Sequence, residues 1–344
     1  MAATHEGLRH RRNAALTAVA VLPLLALAAC GGDDDSGGEG GGEVELSLAH
    51  SYTETQPQHR CGAQVIADEV AAADVGLTVE IFSASSLGGD ADRIASVVSG
   101  DIDIDIQGAS ALGAVYEPIA VVDAAYAFDD GEHLARFFEG EASDDLLQGF
   151  ADETGVTTLG AWSAGMRHFT ANDPIRTPED LDGLRMRFPN SPQFLMNAEA
   201  LGAEATEVAY EELFLALQQG TVDGQENPIT NIDSSNLQEV QDYLSLSSHQ
   251  ANSNLVIIGG VWEELNSEQQ EALQAAVDAA VEQVPGCVAE DEAATLAEWE
   301  EGDELEIVDD VDVEAFRTQV DTYLREEFDE EQLAVYEAIR GTAE

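Results

Sequence analysis

The residues with the clearest chemical capacity in this chain are arginines. In the stretch GLRMRFPN, residues 183–190, Arg185 and Arg187 stand two apart, just before a Phe-Pro-Asn turn. The chain carries 69 Asp plus Glu against 13 basic residues, all of them Arg, for a net charge of −56. Four of the ten arginines after Cys30 fall within residues 167–187, which locally offsets a hostile field. A guanidinium offers parallel N–H donors that match the two oxygens of a carboxylate. High salt screens a long-range field away, but a desolvated two-point contact survives it. The chemistry on offer is therefore capture of an anion, and the bland alternative for any one arginine is a surface ion pair.

Other candidate chemistry fails on spacing. Asp101, Asp103 and Asp105 alternate with isoleucines in DIDIDIQG, but a calcium loop needs Gly at its sixth position and Glu at its twelfth. Those positions hold Ile106 and Leu112. The three acids are expected on a solvated or loop-capping strand face. The sequence has no nucleophile elbow, no metal-ligand cluster of usable spacing and no phosphate-binding glycine loop after a strand. No cofactor or metal is implied.

Apolar residues make up 44 % of 344 residues, enough for one large or two medium cores. The acidity excludes nucleic acid as a partner, because phosphates would be repelled, and argues against general attraction to anionic membranes. Lys-free, acid-rich composition fits a high-salt solvent, in which the Debye length falls to about 3 Å at 1 M salt.

Residues 1–29 read as a signal peptide. Arg9, Arg11 and Arg12 precede an apolar run of 16 residues, Ala14 to Ala29, which is short for a membrane span. Leu27-Ala28-Ala29-Cys30-Gly31 resembles a bacterial lipobox, which implies cleavage before Cys30 and lipidation of its sulfur. An uncleaved anchor is the alternative. Residues 30–43 are glycine and acid with one serine after the cysteine and read as a flexible tether. Cys61 and Cys287 remain; in an exported chain they suit one disulfide, with free thiols as the other possibility.

The mature chain alternates strand and helix patterns. VELSLAHSY, LTVEIFS and DIDIDIQG read as strands with helices between them, which predicts an α/β fold with a largely parallel sheet. TTLGAW and SNLVIIGG read as further strands, and Thr177-Pro178-x-Asp180 as a capped helix start. ATEVAYEELFLALQQG reads as one helix stopped by Gly220, and Pro285 as a break or kink in a long late helix.

Three segments together resemble a known family: AHSYTETQPQH, GMRHFTANDPIRTPEDLDGLRMRFPNSP and GAEATEVAYEELFLALQQGTVDGQENP. In order and spacing they are similar to the dicarboxylate-type solute-binding proteins of tripartite ATP-independent periplasmic (TRAP) transporters, over essentially the whole mature chain. The resemblance implies a periplasmic-binding-protein-like fold, two α/β domains with a ligand cleft between them, joined by crossing strands and a long helix. Domain I is expected at 44–162 and 253–292, domain II at 163–252 and 293–344. It implies that Arg187 clamps a ligand carboxylate and that Arg167, Asn227, Asn190 and Tyr210 line the cleft. Arg185 matches a position commonly held by a solvated basic residue, so the surface ion pair is the expectation there. His50, His59 and Glu226 are secondary candidates.

The implied function is extracytoplasmic capture of an organic acid by a lipid-anchored, monomeric binding protein. Delivery would be to small and large TRAP permease subunits in the membrane, driven by an ion gradient. A ligand-sensing receptor on the same scaffold, or an extracellular enzyme, are the rival readings.

Overall fold

The computed structural model describes residues 43–302 and 305–343. The signal segment, Cys30 and all of the tether but Glu43 lie outside the described residues. The described strands are β1 (Val44–His50), β2 (Leu77–Phe82), β3 (Ile104–Gln107), β4 (Thr157–Ala171), β5 (Arg185–Phe188), β6 (Glu204–Glu207), β7 (Gly224–Pro228), β8 (Tyr243–Ile258) and β9 (Glu306–Val308). The helices are α1 (Gln64–Ala73), α2 (Asp90–Ser99), α3 (Ala109–Leu112), α4 (Gly131–Glu139), α5 (Asp144–Thr154), α6 (Pro192–Leu201), α7 (Leu213–Gln218), α8 (Ile229–Ser234), α9 (Ser267–Glu301), α10 (Val313–Glu327) and α11 (Glu330–Arg340).

All nine strands join in one sheet, in the order β2-β1-β3-β8-β4-β7-β5-β6, with β9 also on β8. The sheet is mixed: five of its eight described pairings are parallel, as expected, and the three that involve β4 or β8 with β3, β7 or each other are antiparallel. β1 pairs in parallel with β2 and β3, and β5 with β6 and β7, but β4 and β8 run antiparallel to each other. Alternation of side chains reveals a strand and says nothing of its direction, so this feature was hidden in the sequence.

The two longest strands organise the molecule. The C-terminal half of β8, Leu255–Ile258, pairs with β3, while its N-terminal end, Tyr243–Ser245, pairs with β9. β4 offers only Arg167–Ala171 to β7. Two α/β lobes thus share one pair of crossing strands. Between Ser163, opposite Ser253, and Met166, opposite Ala251, the register shifts. Gly165 lies in this bulge at φ +96°, where a side chain is disfavoured, and a Cβ there would also meet Glu292 Oε1 at 2.2 Å.

Helix α9 crosses this sheet for 35 residues, close to 50 Å at about 1.5 Å per residue. Asn266 and Gln269 form a capping box at its start. Pro285 does not break it. An interior proline costs about 3 kcal/mol, yet Val277, Ala280, Val284 and Val288 are buried against Leu48 and Trp162 of the first lobe's core. Each valine contributes about 1.5–3 kcal/mol on burial, so packing outweighs the lost hydrogen bond. The Cys61–Cys287 disulfide, spanning 226 residues, pins the helix two residues beyond the proline.

The acidic alternation departs from the expected solvated or loop-capping face at Asp105; Asp101 is exposed and Asp103 half-buried. Asp105 is fully buried and pairs with buried Arg93, Nε to Oδ1 3.0 Å. Asp103 accepts from the backbone N–H and hydroxyl of Ser47 at 2.7 and 2.8 Å, and Asp101 from Ser99 Oγ at 2.9 Å. The segment read as one helix from Ala205 onward begins as β6, passes a short 3-10 turn at Tyr210–Glu212, and becomes helical only in α7. Strand β7 and the helices between residues 109 and 154 carried no sequence assignment.

Candidate functional site: a cleft with one unpaired arginine

Strand β5 is a central strand of the second lobe, held between β6 and β7. Its residues at positions 186–188 are buried, which draws Arg187 inside: the residue is 3 % exposed. Its Nε donates to the carbonyl of Val208 at 2.9 Å, which fixes the plane of the guanidinium. No described carboxylate makes an ion pair with it. Burial pushes its pKa down to about 10, so it is charged at neutral pH but poorly compensated.

Arg185, two residues earlier, is spent. It lies exposed and binds Asp223 at two points, 2.9 and 2.6 Å, and donates to the Thr221 carbonyl at 3.0 Å. Arg167 on β4 is buried like Arg187 but has a partner. Its Nε and Nη2 bind the two oxygens of Glu226 at 2.5 and 2.7 Å, and its Nη1 donates to Asn252 Oδ1 at 2.6 Å. The guanidinium lies 4.9 Å from the Phe194 ring centroid. Burial pushes the Glu226 carboxyl up, but the charge and hydrogen bonds of Arg167, with a contact from His249, hold it below the ordinary range.

A cavity of about 360 Å³ opens in front of these residues, and Arg187, Arg167, Asn227, Asn190 and Tyr210 all line it. Asn227 donates to Gln225 Oε1 at 2.5 Å and accepts from Arg167 Nη2 at 3.2 Å, a position given by its place beside β4. Tyr210 is half-buried, its hydroxyl 2.7 Å from Ser235 Oγ. Asn190 is exposed. His50 and His59 face each other, Nε2 to Nδ1 3.2 Å, and burial drives His50 down to about 3; neither is part of the lining.

The first lobe and the crossing strands add lining that sequence reasoning missed: Tyr52, Asp90, Asp123, Asn252 and Asn254. Tyr52 OH accepts from Asn254 Nδ2 at 2.6 Å. Asp123 accepts from the Ser110 N–H and Ser253 Oγ, both at 2.7 Å, and so ties α3 to the crossing point. The available signal was ANSNLVII, where Asn252 and Asn254 interrupt an apolar strand on one face.

A cavity of this size between two lobes, with a buried cation held in place and no ion-pair partner among the described residues, suits a small-molecule binding protein. The sequence pattern of the bacterial extracellular solute-binding proteins, family 7, matches residues 48–331, and the chain belongs to that family, the solute-binding proteins of TRAP transporters, which are transport proteins and not enzymes. A solute-binding protein of Roseobacter denitrificans is 33 % identical over 250 residues, 72 % of this chain and 76 % of the relative. A TRAP periplasmic solute-binding protein of Polaromonas, solved with D-erythronate, superposes with a TM-score of 0.81 at 30 % identity, covering 87 % of this chain and 98 % of that one. The structure of that same Roseobacter denitrificans relative, solved with L-galactonate, gives 0.80 at 31 % identity, covering 87 % of this chain and 99 % of that one.

Proposed function

We propose that this chain captures an organic acid outside the cytoplasmic membrane and delivers it to a TRAP permease of small and large membrane subunits. The observation that carries this reading is Arg187. A buried charge without a partner is costly, and a ligand carboxylate at its free terminal nitrogens would supply that partner. The two structural relatives named above were solved with carboxylates, D-erythronate and L-galactonate, which supports the same chemistry here. Arg167, Asn227, Asn190 and Tyr210 complete the contact set, with Glu226 holding Arg167 in place. The lobes, 44–162 with 253–292 and 163–252 with 293–344, close on the ligand by bending at the crossing strands. Cys30 carries the lipid that anchors a monomeric protein to the membrane.

A thermal-shift screen against a carboxylate library in molar salt tests the ligand class; a ligand at 100 times its Kd stabilises by about 2.7 kcal/mol. Arg187→Ala then weakens the best hit by about 2–5 kcal/mol in calorimetry. Equal binding by parent and variant would remove the clamp. For the anchor, Cys30→Ala is expected to release protein from the membrane or to leave an uncleaved precursor; unchanged membrane association would assign the anchor to the apolar run.

A further inference from the structure

The charges around the cavity do more than call for a carboxylate. Two guanidiniums line it, Arg187 and Arg167; Glu226 takes the Nε and Nη2 edge of Arg167, and Asn252 takes its Nη1. Against the single uncompensated cation stand two carboxylates of the first lobe, Asp90 and Asp123. Asp123 is buried and makes no ion pair among the described residues; its oxygens accept from the Ser110 and Ser253 backbone N–H groups and the Ser253 hydroxyl, and burial pushes its carboxyl up against these bonds and the Arg167 charge.

Asp90 differs in being open. Its side chain is 52 % exposed although it belongs to the lining. Its Oδ1 accepts from Ser51 Oγ at 2.8 Å and from Arg93 Nη2 at 2.9 Å, which fixes the carboxylate. No described residue donates to its Oδ2. Arg93 divides its charge between Asp90 and buried Asp105, to which its Nε donates at 3.0 Å. Asp90 sits on the first lobe and Arg187 on the second, and both line the one cavity; the Glu226 charge and, more weakly, the Asp90 charge act on the Arg187 guanidinium.

We infer that the cavity takes a mono-anionic hydroxy acid, with its one carboxylate on Arg187 and a hydroxyl toward Asp90, and that Asp90 excludes dianions. This rests on the reading of Arg187 as the carboxylate clamp. A second carboxylate on the ligand would meet no free cation and would face Asp90 and Asp123. Like charges brought together at an interface oppose binding; salt screens the repulsion at open Asp90 more than at buried Asp123. A hydroxyl in the same place donates to the free oxygen of Asp90, a charge-assisted hydrogen bond.

Matched acids test this: D-erythronate against meso-tartrate, and L-galactonate against galactarate, within a wider set of mono- and dicarboxylates. Each pair differs only in a terminal CH2OH against a carboxylate. In calorimetry the monoanions are expected to bind about 100-fold more tightly than their dianionic counterparts. Asp90→Asn should cut that ratio to about 10-fold or less while keeping the monoanion bound. A dianion that binds as tightly as its monoanionic counterpart overturns the inference, as does a ratio untouched by Asp90→Asn. If dianions alone bind, and lose affinity in Arg187→Ala, the clamp stands and the mono-anion assignment falls. If no carboxylate binds, clamp and assignment fall together.

Discussion

Arg185 and Arg187 share a strand face and a side-chain type, and their surroundings give them opposite fates. Arg185 reaches solvent and is occupied by Asp223, an exposed pair that solvent and salt screen. Arg187 is buried with its terminal nitrogens unpaired. Arg187→Lys should therefore weaken ligand binding although the charge is kept, because the planar fork is lost; Arg185→Ala should leave affinity within about threefold of the parent. Calorimetry on the two variants decides it, and the reverse ranking would mean the wrong arginine has been chosen. Glu292 offers a second test at this scale. Its Oε1 is buried without a partner against the Gly165 bulge, and burial raises its pKa from the ordinary 4.5 to about 7. Between those values the folded chain keeps a proton that the unfolded chain has released. Stability contributed by the protonated form is thus lost as pH rises from about 4.5 to about 7, on the order of 2–3 kcal/mol. Glu292→Gln should flatten that part of the profile in urea unfolding at pH 5 and pH 8; an unchanged slope would show that Glu292 titrates normally.

At the scale of elements, α9 and the short π-helical segment Gln58–Ala63 before α1 are joined by the Cys61–Cys287 disulfide. Closing a loop of 226 residues contributes about 5.4 kcal/mol in the chain-entropy account. Reduction is expected to lower the melting temperature by several degrees without moving ligand affinity, since neither cysteine lines the cavity. Two thiols alkylated in denatured, unreduced protein would show the bond absent. The same elements show where local reading fails. Thr177 and Asp180 form the capping box expected of their spacing, because capping is settled within four residues. Pro285 was expected to end or bend a helix, and α9 runs through it because contacts with residues far off in sequence decide.

At the scale of the molecule, a net charge of −56 means strong self-repulsion in dilute buffer. The melting temperature should rise steadily from about 0.1 M to about 2 M NaCl as the Debye length shrinks. Affinity for the ligand should change far less, because the Arg187 contact is desolvated. A salt-independent melting temperature would sink the self-repulsion argument.

Much of this protein is legible in its sequence. Strand and helix periodicity, caps, the pairing partners left to Cys61 and Cys287, and the family segments around LRMRFPN and GQENP are all local, and they point to a bilobed α/β binding fold and to five residues that do line one cavity. The tertiary structure alone decided three things. It set strand direction, since β4 and β8 cross antiparallel and alternation does not encode direction. It set burial, which turned Asp105 from a solvated acid into the partner of Arg93 and left Arg187 unpaired while Arg167 was satisfied by Glu226. It also brought Tyr52, Asp90, Asp123, Asn252 and Asn254 to the same cavity from across some 200 residues of chain. Charge and hydrogen bonding act over a few ångströms in space, and separation along the chain does not measure that distance.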